Sequence, residues 1–496
     1  MNLRKIIFGA LLTTSLVVYQ SCNKIEDFGN MNQNPNATTE PNTAALLTNV
    51  LAGVGSNLVW DRGGISTVAG LYVQYFTETQ YTDASRYANP NFDFDGYYTG
   101  ALYDLQNIIN YNSDAGTAGK AAASGSNANQ IAIARILKAY YFFFLTSNYG
   151  DIPFSAALKG EGNNVYDPQQ TILVGLIKEL KEAVDQFDNG STVKGDIMFS
   201  GNTDLWKRFA NSARLLIALQ MAKKDPTTGK TEFLAALSHP AGLITSNGEN
   251  TAITYPGGVF NHPGYQYYEI TQRDDYAIAK TLMDQLNTTG DPRVNAYGSS
   301  PVDPVTGTVV HGIGFPYGLT RDNAVAYANA NTKFSRVFDQ LDYRNADGTV
   351  VIIGAANITL ARAEAAQRGW TAENVATLYI SGIQQSWQQW GQYNAGTFAT
   401  YVAQASIALT AGTELQKIAT QEWIAWFPNG WQGYNVWRRT GFPVLTPAPG
   451  TTTGIPRRFP YGPNEYNLNP TNVQAAATLY SVGGVDDSQY AHVWFD

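Results

Sequence analysis

The chain has 496 residues, 44% of them hydrophobic and 12% aromatic, which is enough for a sizeable buried core and argues against a disordered protein. The formal net charge of -8 excludes a protein that neutralises nucleic-acid phosphates, because that task needs clustered Lys and Arg, so no nucleic-acid partner is expected. Charged residues make up only 15% of the chain, and we therefore expect a polar, weakly charged surface that suits neutral ligands.

Residues 1–21 have the pattern of a bacterial secretory signal peptide. Arg4 and Lys5 precede an apolar stretch over residues 6–19 that is too short to be a spanning helix. Cys22 is the only cysteine, and it directly follows this segment, which is where a bacterial lipoprotein is cleaved and acylated. We predict lipid attachment at Cys22, with an incidental thiol as the alternative. A single cysteine excludes an intrachain disulfide.

Residues 22–42 are predicted to form the lipid anchor and a flexible linker. The run NMNQNPNATTEPN at residues 30–42 is rich in Asn and Pro, which is typical of linkers. Acyl chains hold a protein at a bilayer because each buried methylene contributes about 0.8 kcal/mol. No later segment of the sequence is long and apolar enough to span a membrane. We therefore predict one folded domain over residues 43–496.

Helical periodicity dominates the pattern of this domain. Residues 170–188 are the clearest case, because apolar side chains such as Leu176, Leu180 and Val184 return every three or four positions. Similar patterns predict helices over residues 43–58, 96–111, 129–147, 204–224, 276–287, 355–368, 372–390 and 413–426. Asp204 and Thr413 are the expected N-caps of two of these helices. TVVIIGA around Val350 fits a short strand, and the predicted fold class is all-α.

Long segments rich in Gly, Pro, Asn and Tyr separate the predicted helices, at residues 255–268, 297–323 and 440–469. Loops of this length in a compact domain are usually functional. The segments ANITLARAEAAQRGW and ENVATLYISGIQQSW predict a helix, a Gly-Trp turn and a packed return helix. Tetratricopeptide-like hairpins give this pattern, and an irregular helical domain fits the spacing equally well.

The sequence lacks motifs for metal binding and catalysis. The run that begins at Asn91 has Leu102 where an EF-hand carries its bidentate Glu. The four histidines lack the helical pair spacing of a zinc site, and no GxSxG elbow occurs. We predict no catalytic residue, no metal and no cofactor. An all-α glycoside hydrolase, in which two acids meet in space, stays open as an alternative.

The run WRRTG at residues 437–441 has two interpretations. Adjacent arginines beside an indole would suit a clamp for carboxylates or sugars. We favour a helix end that orders the long C-terminal segment, in which the guanidinium groups satisfy loop carbonyls. Trp423, Trp426 and Trp431 are expected in the core.

Seven segments, in order along most of the chain, carry a family resemblance. They are ARILKAYYFFFLTSNYGDIPFSAAL (134–158), LWKRFANSARLLIALQMA (205–222), GDPRVNAY (290–297), ITLARAEAAQRGW (358–370), LYISGIQQSW (378–387), ATQEWIAWFPNGWQGYNVWRRTGFPVL (419–445) and IPRRFPYGPNEYNLN (455–469). Together they resemble the SusD/RagB nutrient-binding lipoproteins, and most closely their SusD-like branch. Gln421 and Glu422 depart from the Gln-Lys pair of many relatives.

The resemblance implies an α-helical fold in which tetratricopeptide-like helix pairs support a large loop-rich ligand-binding face. It also implies a lipid-anchored, surface-exposed protein of the outer membrane that is not an enzyme. Such a protein captures ligand and delivers it to a SusC-like TonB-dependent transporter barrel. The expected ligand is a polysaccharide or oligosaccharide, and a peptide is the alternative within the family. A surface adhesin would share the anchor but not the transporter.

Ligand contacts are expected among loop aromatics, because the C–H faces of a sugar ring stack on aromatic rings while its hydroxyls meet amides and carboxylates. One Tyr-rich segment lies at residues 72–98, and a second is HPGYQYYEI at residues 262–270. The predicted ligand contacts in these segments are Tyr81, Arg86, Tyr87, Tyr265, Tyr267 and Tyr268. Packing within the fold and contact with the transporter are the alternatives.

Overall fold

A computed structural model describes residues 40–88 and 92–496 of the chain. The predicted signal peptide, the predicted lipid-attachment residue Cys22 and most of the predicted linker lie outside the described residues. Thr43–Asp496 forms one compact unit. Its regular structure is mainly helical, as the sequence predicted, and its strands are short. In the described part of the chain, no helix has the length and apolar character needed to cross a membrane.

The α-helices of the described residues are numbered here in chain order. They are α1 (Thr43–Val54), α2 (Ile65–Tyr72), α3 (Asp95–Tyr97), α4 (Tyr103–Ser113), α5 (Ala118–Ala121), α6 (Asn127–Tyr149), α7 (Gln169–Gln186), α8 (Thr203–Gln220), α9 (Pro226–Leu237), α10 (Pro263–Tyr265), α11 (Lys280–Thr289), α12 (Val294–Tyr297), α13 (Arg321–Ala330), α14 (Ala355–Gln367), α15 (Val375–Gln389), α16 (Ala395–Val402), α17 (Glu414–Trp426), α18 (Gly430–Thr440), α19 (Pro463–Leu468) and α20 (Pro470–Leu479).

The strands of the described residues form antiparallel pairs between segments that are distant in sequence. They are β1 (Phe76–Glu78), β2 (Ile152–Pro153), β3 (Tyr166–Asp167), β4 (Thr251–Thr254), β5 (Tyr276–Ile278), β6 (Gly298–Ser299), β7 (Arg336–Val337) and β8 (Thr349–Ile353). β1 pairs with β5, β2 with β3, β4 with β8 and β6 with β7. The strand predicted around Val350 is therefore confirmed as β8.

The long helices pack around an aromatic core. Trp431 on α18 is fully buried, and its ring meets those of Tyr140, Phe143 and Phe144 on α6 edge-on, at centroid distances of 5.7, 5.2 and 5.4 Å. Edge-to-face contacts of this kind add to the stabilisation that burial provides. Trp423 and Trp426 are also buried, so all three tryptophans lie in the core as predicted.

Helices α14 and α15 form the hairpin that the sequence predicted. Gly369 makes the turn with φ +72, a conformation that side-chain-bearing residues rarely adopt, and Trp370 packs on Phe233 at 5.7 Å. Gly382 lets the two helices approach, because a Cβ there would lie 2.5 Å from Cγ of Leu360. The predicted helix, Gly-Trp turn and packed return helix are thus confirmed.

The WRRTG run ends helix α18, and its arginines are internal. Arg438 is fully buried, and its Nη1 donates to the carbonyl of Arg457 at 3.0 Å, which is the loop-ordering role that we favoured. Arg439 instead pairs with a buried carboxylate, since its Nη2 lies 2.7 Å from Oε2 of Glu364. Neither guanidinium is available as a ligand clamp.

Some predicted helix starts and caps differ from those in the structure. The N-cap of α8 is Asn202 rather than Asp204, because the Asn202 side chain accepts the N–H groups of Asp204 and Leu205. Thr413 does occupy the N-cap position of α17, but its side chain makes no capping hydrogen bond. The helix predicted over residues 276–287 begins at Lys280, since residues 276–278 are drawn into strand β5.

Candidate functional site

The pairing of β1 with β5 brings the two predicted aromatic segments together. Glu78 lies opposite Tyr276 in the ladder, and the pairing continues beyond it, where the N–H of Thr79 donates to the carbonyl of Asp275 at 2.8 Å. The pairing therefore brings the start of the loop at residues 79–87 against the end of residues 271–276, although almost two hundred positions separate them. Together with residues 317–321 and 448–450 they form what we call the loop face.

Asp275 is the hub that connects these segments. Its carboxylate accepts hydrogen bonds from the Tyr267 hydroxyl at 2.9 Å and from Nε of Arg273 at 2.7 Å, and Nε2 of Gln80 donates to its other oxygen. The Asp275 side chain is buried. Burial, followed by the neighbouring Tyr268 and Asp275, raises the pKa of Tyr267 well above its ordinary range, so this hydroxyl stays protonated and donates.

A cleft of about 590 Å³ opens beside this hub. It is lined by Asp61, Arg62, Gly63, Tyr267, Thr271, Arg273, Asp275 and Tyr276. Two carboxylates and two guanidinium groups balance in charge, and two of them already pair, because Nη2 of Arg273 lies 2.5 Å from Oδ2 of Asp275. A charge-balanced cleft that offers both donors and acceptors suits a neutral, hydroxyl-rich ligand.

Tyr81 presents the most accessible ring among the six predicted contacts. Its side chain is 51% exposed, whereas Tyr87, Tyr267 and Tyr268 are buried. The guanidinium of Arg321, at the start of α13, lies 5.5 Å from the centre of the Tyr81 ring. A cation at this distance from a ring is attracted to its π-face. The pair thus provides a flat aromatic surface with charged donors beside it.

Arg86 joins three loops of the face. Its Nη1 donates to the carbonyl of Gly318 at 2.7 Å and to that of Pro449 at 3.0 Å. Tyr87 follows with φ +68, and its buried hydroxyl accepts the N–H of Ala448 at 2.9 Å. Both residues therefore position the loops in this structure, and their contacts are made with the protein itself.

Tyr265, Tyr267 and Tyr268 lie on one short helical segment but differ in environment. The Tyr268 hydroxyl donates to the carbonyl of Tyr276 at 2.8 Å, and the guanidinium of Arg344 lies 4.3 Å from the centre of its ring. Tyr267 reaches the cleft through its hydroxyl, as described for Asp275. Tyr265 is half-buried at the end of α10. Only Tyr267 of these three lines the cleft.

Glu78 fixes the loop that carries Tyr81. It is 6% exposed, and its Oε2 accepts hydrogen bonds from the N–H of Ser85 at 2.8 Å and from the Ser85 hydroxyl at 2.9 Å. Burial raises the pKa of Glu78 to about 7, although the bonds from Ser85 oppose that rise. Sequence reasoning missed this residue, because a carboxylate inside a short strand gives no periodic signal.

Arg321, Arg273 and Asp275 are also parts of the face that the sequence did not single out. A signal existed for two of them, since the polar run QRDD at residues 272–275 directly follows the predicted aromatic cluster. Arg321 lies far from both clusters in sequence, and only the fold brings it to Tyr81. Among residues 40–88 and 92–496, no three His, Cys, Asp or Glu side chains converge as they would around a metal ion.

Comparison with known proteins identifies the family. The SusD-like family model, described as starch-binding and associating with the outer membrane, matches residues 35–462. The match covers most of the chain, and the protein therefore belongs to this SusD-like family. No curated protein sequence matches the chain. The family is thus one of binding proteins associated with the outer membrane, as the sequence resemblance indicated.

Solved structures share the fold over nearly the whole chain. A protein described as chitin-binding is 26% identical with a TM-score of 0.75, over 92% of this chain and 100% of that one. A chitin-binding SusD homolog from Flavobacterium johnsoniae is 22% identical with a TM-score of 0.74, over 91% and 98%. A SusD homolog from Bacteroides uniformis is 23% identical with a TM-score of 0.72, again over 91% and 98%.

Proposed function

We propose that this protein captures a neutral glycan on the loop face and delivers it to a SusC-like TonB-dependent transporter, without chemical turnover. A lipid on Cys22 would hold it at the surface of the outer membrane. The exposed Tyr81 ring with Arg321 beside it carries this proposal. Glycan binding by chitin-binding structural relatives supports it.

The balance of charge in the neighbouring cleft favours an uncharged glycan over an acidic one. Asp61, Asp275, Arg62 and Arg273 all line it, so a uronic acid or sulfate would meet as much repulsion as attraction. Hydroxyl groups both donate and accept, and they can use either sign of partner. A sugar ring on Tyr81 would have its rim hydroxyls close to the guanidinium of Arg321.

The first test is calorimetric titration of the purified protein with maltohexaose and chitohexaose. Replacing Tyr81 by Ala removes a stacking surface worth about 1 kcal/mol, so we expect affinity for the bound oligosaccharide to fall about fivefold to tenfold. Tyr103→Ala is the matched control, because Tyr103 is 53% exposed on helix α4. Equal affinity of the wild type and Tyr81→Ala would contradict the proposed site.

Incubation with the same oligosaccharides, and titration with peptides, separate the alternative functions. Release of reducing sugar during incubation would indicate a hydrolase, and binding of peptides in place of oligosaccharides would indicate the peptide-binding branch of the family. Affinity purification of the full-length protein from detergent-solubilised outer membranes tests the transporter. We expect a stoichiometric TonB-dependent barrel with the wild type, and loss of membrane association in Cys22→Ser. Recovery of the protein alone in several detergents would contradict delivery to a transporter.

A further inference from the structure

A second cavity, of about 490 Å³, lies where the β4–β8 ribbon meets the C-terminal ends of α15 and α17. We call it the junction cavity. It shares no lining residue with the cleft of the loop face. The rings of Phe338 and Trp60 lie between them, since Phe338 lines the junction cavity and packs 6.1 Å from Trp60, which in turn packs on Tyr276 at 6.0 Å. Its volume is in the range of about 300–1,000 Å³ typical of small-ligand sites.

The aromatic wall of the junction cavity is held in place by its own contacts. The rings of Tyr343 and Trp390 lie 5.2 Å apart at an angle of 57°, and the Tyr343 hydroxyl donates to the carbonyl of Trp390. Trp390 also packs on Tyr297 at 5.0 Å. The rings of Tyr343 and Trp390 are therefore fixed before any ligand arrives, which lowers the entropic cost of binding.

The cavity also carries neutral polar groups. The amide side chains of Asn247, Asn250, Asn357, Gln388 and Gln389 line it, and an amide can both donate and accept hydrogen bonds. Gln389 lines the same cavity, and its Oε1 receives only a long contact of 3.5 Å from Nδ2 of Asn250.

The lining carries little charge. Asp342 is its one ionisable acid, and no Lys or Arg contributes to the wall that the described residues form. Fixed aromatic rings and amide groups without strong charge are what a hydroxyl-rich ring requires. We propose that the junction cavity binds a neutral pyranose residue, as a second saccharide site that is separate from the loop face.

The test uses the full-length protein in detergent, with methyl glycosides of glucose and N-acetylglucosamine as probes in saturation-transfer NMR. Thr349 is exposed on β8 and lines the cavity, so Thr349→Trp should obstruct it and weaken glycoside binding at least tenfold. Thr254→Trp is the matched control. Thr254 pairs with Thr349 across the ribbon and shares its hydroxyl contact at 2.9 Å, but it does not line the cavity.

Gln389→Leu keeps the size of the side chain and removes its amide from the cavity wall, and we expect it to weaken glycoside binding about threefold to tenfold. If that variant fails to fold, the comparison of Thr349→Trp with Thr254→Trp still tests whether the junction cavity binds the glycosides. Absence of glycoside binding in the wild type, or equal binding by Thr349→Trp, would overturn the inference. Capture of a peptide amide in the cavity instead of a glycoside would overturn it as well.

The outcome for this cavity is distinguishable from that for the loop face. Tyr81→Ala should leave glycoside binding in the junction cavity unchanged, because the two sites share no residue. If Tyr81→Ala abolishes glycoside binding and Thr349→Trp does not, the probes occupy the loop face. That result would overturn the second site and support the first.

Discussion

The buried carboxyl group of Glu78 makes the stability of the loop face dependent on pH. Burial raises its pKa from an ordinary 4.5 to about 7. Each pKa unit corresponds to about 1.4 kcal/mol, so this difference corresponds to about 3 kcal/mol in the free energy of unfolding. Below pH 4.5 the group is protonated in both the folded and the unfolded chain, so its contribution to stability is fully present. As pH rises towards 7 the unfolded chain releases the proton first, and that contribution is lost.

Replacing Glu78 by Gln should remove this dependence. An amide keeps an oxygen that can accept from the N–H and hydroxyl of Ser85, but it never ionises. We expect the variant and the wild type to unfold in urea with similar free energies at pH 4.5. At pH 8 the variant should be more stable by up to about 3 kcal/mol.

Urea unfolding measured every half pH unit from 4.5 to 8.5 checks this expectation. Other acids titrate over the same range, and the difference between the two proteins isolates Glu78. Glu161→Gln serves as the control, because Glu161 is exposed in the loop between β2 and β3 and should show no trend. Parallel stability curves for the wild type and Glu78→Gln, or a variant that is less stable at pH 8, would refute the reasoning.

Two further predictions concern buried or bridging arginines. Arg86→Met removes both hydrogen bonds to Gly318 and Pro449, so amide hydrogen exchange at residues 317–321 and 448–450 should accelerate. Exchange in helix α6 should stay unchanged. Wild-type exchange rates in the two loop segments of the variant would contradict the bridging role. Arg439→Met leaves the buried Glu364 with Arg368 in place of two guanidinium partners, so it should cost about 3 kcal/mol in urea unfolding, the lower end for a broken buried pair. Glu422→Gln should lower the free energy of unfolding far less, because burial and the adjacent Glu364 raise the pKa of Glu422 well above its ordinary range. Equal losses of unfolding free energy in Arg439→Met and Glu422→Gln would contradict this expectation.

Much of the helical framework could be predicted from the sequence, because a helix that buries one face has an amphipathic pattern in its local sequence. Helix α7 shows an apolar stripe of Leu176, Leu180 and Val184, and all three are buried. Helix α2 has no such pattern, because all eight of its residues are buried and it has no exposed polar face. It was therefore not predicted. The start of α11 was misplaced because pairing with a distant strand outweighed local propensity.

The loop face could be predicted only in part. Sequence reasoning found Tyr-rich segments, but it gave the exposed Tyr81 and the buried Tyr268 equal weight. Whether a ring faces solvent depends on the pairing of β1 with β5, which joins positions almost two hundred residues apart. No window of sequence contains both partners. The same limit applies to Arg321, whose place beside Tyr81 is set by tertiary contacts.

The hydrogen bonds from Arg86 to the carbonyls of Gly318 and Pro449 set the order in which the loop face can assemble. Synthesis produces Tyr81 early, but Pro449 only when nearly the whole chain has been made. Contacts between such distant positions are the last that a chain can close. An unfinished or truncated molecule would display Tyr81 without the bridge that fixes its loop. The bridge that fixes the Tyr81 loop therefore forms only in a chain that extends to Pro449.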